Sequence, residues 1–145
     1  MDENQRALIE QACLRLLAQY TVATDSNDRD LWLDVFSDDA IWEAPSLRLA
    51  GREEFDRFFG NRSNGKTTLA KHISANEFVQ VIDLNTATAV SSMLVFRQGD
   101  YPGSGIGKLL GPSAIIDNAD SFVRVDSKWK IKHRVTTVKF APPQP

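Results

Sequence analysis

Apolar residues recur at helical spacing from Ala7 to Ala23, through Ile9, Ala12, Cys13, Leu16, Leu17 and Tyr20. The spacing predicts one amphipathic helix from about Glu3 to Thr24. The polar run Asp25-Ser26-Asn27-Asp28 breaks it, and Asp28 is placed to cap a short second helix, Arg29 to Phe36. Ser37 to Asp39 reads as a turn, Ala40 to Ala44 as a strand stopped by Pro45, and Leu47 to Ala50 as a short return strand. After Gly51 a third helix is expected from Arg52 to Phe59, with Phe55, Phe58 and Phe59 as its buried stripe, and then a polar loop, Asn61 to Thr68. The second half changes period. His72 to Val81, Thr86 to Phe96, Ala114 to Val125 and Trp129 to Val138 read as strands, with short connections at Asp83-Leu84-Asn85 and Asp126-Ser127-Lys128. A Gly- and Pro-rich segment separates Arg97 from Pro112.

Helices first and antiparallel strands afterwards predict an α+β fold. The expected architecture is a cone: a curved antiparallel or mixed sheet wrapped around the long N-terminal helix and enclosing a pocket. A single domain over residues 1–145 is expected, ending in a Pro-rich tail at 141–145 that cannot join a sheet. Strands such as Thr86 to Phe96 are apolar on both faces, which predicts a covered outer surface and so a homodimer or homotrimer.

Charge and composition narrow the function. A net charge of -2 gives no electrostatic case for nucleic acid or an acidic membrane. The N-terminus is polar, unlike a signal peptide, and no apolar run reaches membrane-spanning length, so a cytoplasmic protein is expected. The one cysteine, Cys13, sits in the apolar stripe and reads as a buried core thiol. No His, Cys or carboxylate cluster has metal-ligand spacing, no GxSxG nucleophile is present, and no cofactor is called for. Gly103-Ser104-Gly105-Ile106-Gly107-Lys108 fails as a phosphate loop, because Leu109 stands where Ser or Thr is required. It reads instead as a loop near a pocket mouth.

The residues that carry chemistry are Asp25, at the end of the first helix, and His72, at the start of a strand. If they meet, the carboxylate fixes the imidazole tautomer and stabilises the imidazolium formed on proton uptake. In an unbroken helix Asp25 falls away from the stripe of Cys13, Leu16 and Tyr20, so it faces the pocket only if the helix ends or bends before it. Tyr20 either holds a substrate oxygen or is core. Trp42 and Phe55 are core residues or the wall of an apolar cavity. Arg124 shares a face with Phe122 and either pairs with a buried carboxylate, holds an anionic leaving group, or is a surface ladder charge. His133 alternates with Trp129, Ile131 and Val135, which makes it a second pocket imidazole or a satisfied core histidine.

Several phrases, in order, resemble a known superfamily: Leu17-Ala18-Gln19-Tyr20 with Asp25, Phe36-Ser37-Asp38-Asp39-Ala40-Ile41-Trp42, Gly51-Arg52-Glu53-Glu54-Phe55, Lys71-His72-Ile73-Ser74-Ala75-Asn76, Thr86-Ala87-Thr88-Ala89, Asp120-Ser121-Phe122-Val123-Arg124 and Trp129 to Arg134. The chain resembles SnoaL-like members of the nuclear transport factor 2-like superfamily. The resemblance extends to scytalone dehydratase-like enzymes and γ-hexachlorocyclohexane dehydrochlorinase, which eliminate water or HCl with an Asp–His pair. It implies that role for Asp25 and His72, and a substrate-oxygen contact for Asn118, the alternative being a turn residue that starts a strand. The segment Thr86 to Phe96 is equally similar to the non-catalytic small (β) subunits of aromatic-ring-hydroxylating dioxygenases. The expected function is a cofactor-free lyase or isomerase acting on a small apolar cyclic molecule. The alternatives are a dioxygenase small subunit or a small-ligand-binding module.

Overall fold

The computed structural model describes residues 1–63 and 68–143. Helix α1 runs from Glu3 to Ser26. Asp2 and Gln5 cap its start reciprocally, with Gln5 N–H donating to the Asp2 carboxylate at 2.8 Å and Asp2 N–H to Gln5 Oε1 at 3.0 Å. Asn27 ends it in the left-handed conformation, φ 56°, and Asp28 at once caps helix α2, Arg29–Asp34, by accepting from Leu31 N–H at 3.0 Å. Strand β1 is Phe36–Ala44, β2 Leu47–Ala50, helix α3 Arg52–Ser63, β3 Leu69–Val81, β4 Thr86–Gln98, β5 Ala114–Val125 and β6 Lys128–Phe140.

The strands form one open, mixed six-stranded sheet in the order β2-β1-β6-β5-β4-β3. Every neighbour pair is antiparallel except β1 and β6, which run parallel. This is an α+β fold of the cystatin-like, nuclear transport factor 2-like kind. The edge strand β3 bends at Asn76, whose φ of 53° accompanies a register shift between Ala75 and Phe78. β3 packs along α1.

Two departures from the sequence reading have clear causes. Ser37 to Asp39 belong to β1 rather than to a turn: Ser37 is buried, while Asp38 and Asp39 point outward to Arg52 and Lys132. Consecutive acids looked like a turn, but on this strand they are partnered. Helix α3 continues past Phe59 to Ser63, which brings Arg62 onto it. Of the polar loop expected from Asn61 to Thr68, residues 64–67 lie outside the described residues, as do 144–145 of the Pro-rich tail. The Gly-rich segment lies against the outer face of the β3–β4 pair, with Lys108 N–H bonded to Gln98 Oε1 at 2.6 Å and Gly107 to Gly111 beside Leu69, Ile73 and Phe96.

The core centres on Trp32, 1% exposed, whose indole meets Tyr20, Phe36, Trp42, Phe55, Phe58 and Phe59 at ring separations of 5.0 to 6.4 Å. Such aromatic pairs contribute about 0.5–1.5 kcal/mol each beyond area burial. Cys13 is fully buried, and burial pushes its thiol up to about 12. Deep in the sheet Arg134 grips Asp120 with two bonds, 2.7 and 2.9 Å, and its guanidinium lies 4.3 Å over the Tyr20 ring. Both side chains are essentially inaccessible. Arg134→Leu therefore leaves an unpaired buried carboxylate and is expected to cost about 3–5 kcal/mol in urea unfolding, whereas Arg134→Met with Asp120→Leu costs far less.

Candidate active site

Asp25 sits in the last turn of α1 and His72 on the inward row of β3. His72 Nδ1 and Asp25 Oδ1 are 2.6 Å apart. The His72 backbone N–H donates to the same carboxylate at 3.0 and 3.2 Å. The carboxylate is thus an acceptor, and Nδ1–H donates to it. That tautomer leaves the lone pair on Nε2, which has no hydrogen-bond partner among the described residues. Lys71 Nζ adds a longer contact to Asp25 Oδ2, 3.7 Å. Helix α1 does not end before Asp25, contrary to the requirement drawn from helical spacing. Asp25 reaches His72 because β3 flanks the side of the helix, so the sheet covers more than one stripe.

Burial and the nearby cations Arg97 and Arg62 hold the His72 imidazolium below the ordinary histidine range; the hydrogen bond to Asp25 and its charge oppose this. His72 is 7% exposed. Beside the pair lies a cavity of about 460 Å³, lined by Thr24 and Asp25 of α1, the cap residue Asn27, Phe58 and Arg62 of α3, Thr68, Ala70 and Arg97. Further along the inward face, polar atoms are buried without partners: Ser74 Oγ, Ser91 Oγ and Asn118 Nδ2. Ser91 and Asn118 are cross-strand partners. Asn118 Oδ1 accepts from the Thr136 hydroxyl at 2.6 Å, and Thr136 Oγ1 in turn accepts from the Trp42 indole at 2.9 Å. No group of three or more potential metal ligands occurs among the described residues, and no described helix is long and apolar enough to cross a membrane.

Residues 5–135 match the model of the SnoaL-like domain. The chain belongs to the SnoaL-like domain family. No curated protein matches the sequence significantly. Among solved structures, a protein of Novosphingobium aromaticivorans DSM 12444 named as a candidate scytalone dehydratase superposes with TM-score 0.81 at 18% identity, over 96% of this chain and 89% of that one. The hexachlorocyclohexane dehydrochlorinase LinA-type3 of Novosphingobium barchaimii LL02 gives TM-score 0.78 at 13% identity, over 99% and 94%. A candidate aromatic ring hydroxylase of N. aromaticivorans gives 0.72 at 20%, over 90% and 89%. At these identities the likeness is one of fold.

The SnoaL-like domain distributes the other sequence-derived candidates unevenly. Tyr20 is packed in the aromatic core under Arg134, and the Trp42 N–H is occupied by Thr136. Phe55, 1% exposed, lies against Trp32 and Phe36; the residue of that stripe that reaches the cavity is Phe58, on the flank of α3. Arg124 is exposed near the β5–β6 turn, at the opposite end of β5 from Ala114, whose row leads through Val95 to His72. His133 is on the outer face, bonded to Glu43 at 3.1 Å. Simple alternation does not hold there: β6 shifts register between Ile131 and His133, which turns His133 away from the face of Ile131. Sequence reasoning missed Arg62 and Arg97. Arg62 falls in the expected polar loop and Arg97 at the border of the Gly- and Pro-rich segment, and the longer α3 and β4 carry them to the cavity.

The electrostatics give a signed expectation. In NMR titration the His72 ring should protonate below about 6.5, the model-peptide value, and in Asp25→Asn lower still, since Asp25 raises it. The unfolded chain then binds this proton more readily than the folded one. The stabilisation is full above the unfolded value and is lost as pH falls through 6.5 toward the lower folded value.

Proposed function

We propose that the protein is a cofactor-free lyase or isomerase that removes a proton from a small, largely apolar cyclic molecule, with His72 as base and Asp25 as its orienting partner. The observation that carries this reading is the 2.6 Å bond between His72 Nδ1 and Asp25, with Nε2 left unbonded among the described residues and Asp25 on the wall of a cavity. Nε2 takes a proton from a ring carbon. The electrons of the broken C–H bond form a double bond to the neighbouring carbon, and the leaving group departs from that carbon with its own bonding pair. In an isomerisation the double bond migrates and the proton is returned elsewhere. Asp25 stabilises the imidazolium that results. A base held below the ordinary histidine range is already deprotonated at neutral pH, so no proton must be shed first. Asn118 Nδ2, buried and unpartnered although outside the lining of this cavity, is the candidate donor to a substrate oxygen. General-base action contributes about 10²–10⁴-fold, and positioning by the cavity walls adds to it.

A second reading, the non-catalytic small subunit of a ring-hydroxylating dioxygenase, draws on the fold likeness to the candidate aromatic ring hydroxylase. It gives no role to a buried imidazole with one nitrogen tied and the other open. The outer sheet face exposes Ile73, Phe78, Val90 and Val135, which supports a homodimer or homotrimer; light scattering at micromolar concentration should give a mass above the monomer, and a monomer rejects this.

Turnover is to be sought across alicyclic and aromatic ring compounds carrying a leaving group. His72→Ala and Asp25→Asn should each lower it at least about a hundredfold with the unfolding midpoint little changed. Full turnover in His72→Ala rejects the assigned base. The acidic limb of kcat/KM should lie below about 6.5.

A further inference from the structure

The two arginines at the cavity are the part of the site that an apolar neutral substrate leaves without a use. Arg29, Arg48, Arg52, Arg57 and Arg134 each face a carboxylate. Arg6, Arg15, Arg62, Arg97 and Arg124 face none among the described residues, and of these Arg62 and Arg97 are the two that line the cavity. The carboxylate they share a cavity with, Asp25, is committed to His72 and contacted by Lys71.

Their placement is defined by the fold. On α3, Phe58 and Arg62 are one helical turn apart and both line the cavity. The Arg62 guanidinium is half-buried, donates from Nη1 to the Thr24 carbonyl at 3.3 Å, and lies 5.5 Å from the Phe59 ring centroid. Among the described residues this is the one hydrogen bond of a fork that carries five donors, and it holds the head in place. Arg97 stands opposite Ala70 on the neighbouring strand, in the inward row that carries Val95, the partner of His72. One guanidinium comes from the helix side and the other from the sheet side.

We infer that the substrate of this site carries a carboxylate, received at the cavity mouth between Arg62 and Arg97 while its ring reaches toward His72. The inference rests on the proposed function for the use of the site, but binding tests it without turnover. Two guanidinium forks suit a planar carboxylate, and a cavity of about 460 Å³ has room for a ring bearing one. The bound anion has a second effect. Arg62 and Arg97 both disfavour the His72 imidazolium, whereas Asp25 favours it. A carboxylate on the arginines offsets their charge, so the base becomes stronger when the correct substrate is present.

The test uses the full chain with cyclohexanecarboxylate and its neutral counterpart, cyclohexanecarboxamide, in calorimetry and NMR. The carboxylate should bind and the amide should bind at least about tenfold more weakly. Arg97→Gln should weaken the carboxylate about tenfold to a hundredfold and leave the amide unchanged. Arg62→Gln should do the same; since Arg62 also closes the end of α1, Arg97→Gln, at an exposed position, decides the matter if the other variant fails to fold. Saturation with the carboxylate should raise the titration midpoint of His72. Equal binding of acid and amide, carboxylate affinity unmoved by Arg97→Gln, or chloride competing at equal concentration overturns the inference. None of these outcomes touches the roles of His72 and Asp25, which the turnover variants test separately.

Discussion

A single carboxylate makes the geometry of this site possible. Asp25 accepts from the backbone N–H and from the ring of the same residue, His72, and so fixes the end of α1 to the edge strand in both position and rotation. A backbone bond alone would hold the strand but leave the imidazole free to turn about its side-chain torsions. A ring bond alone would leave the strand free to slide. The left-handed Asn27 and the immediate cap at Asp28 stop the helix directly after the carboxylate, so Asp25 has little freedom to swing away.

The rest of the fold supplies what that contact needs. Trp32 and its ring of aromatic neighbours lock α1, α2, α3 and β1 together. The buried Arg134–Asp120 pair ties β6 to β5 over the Tyr20 ring. The pair is a poor source of net stability, because both charges leave water. Its geometry is demanding, however: a slip of either strand by one residue would turn one of the two charges outward.

Much of this was legible in the sequence. Long periodic segments gave α1 and the four long strands nearly to their ends, because burial of one face dictates period. The pairing of Asp25 with His72 was legible only as a possibility, since the residues are separated by 47 positions and no local rule links them. Helical spacing even argued against it, by treating the burial of α1 as a single stripe. The failures lie where tertiary contacts override local pattern. Asp38 and Asp39 stay in a strand because cations receive them, and His133 is turned outward by one irregular step in β6. Arg62 and Arg97 were invisible for a different reason: an arginine's role depends on which carboxylates are within reach, and periodicity does not carry that information.

The amide that Asp25 holds belongs to an edge strand, and this gives the carboxylate a protective side. The free side of a sheet is a template on which another chain can add, and on β3 it is flanked by α1, where Arg6 Nη1 donates to the Val81 carbonyl at 3.3 Å and Asp25 accepts from the His72 amide. Close by on the same strand, Ile73 and Phe78 are exposed and apolar. A negative charge seated on the amide of His72 caps one donor on that side and repels an incoming carbonyl. The residue that orients the imidazole therefore also guards the sheet against growing by one more strand.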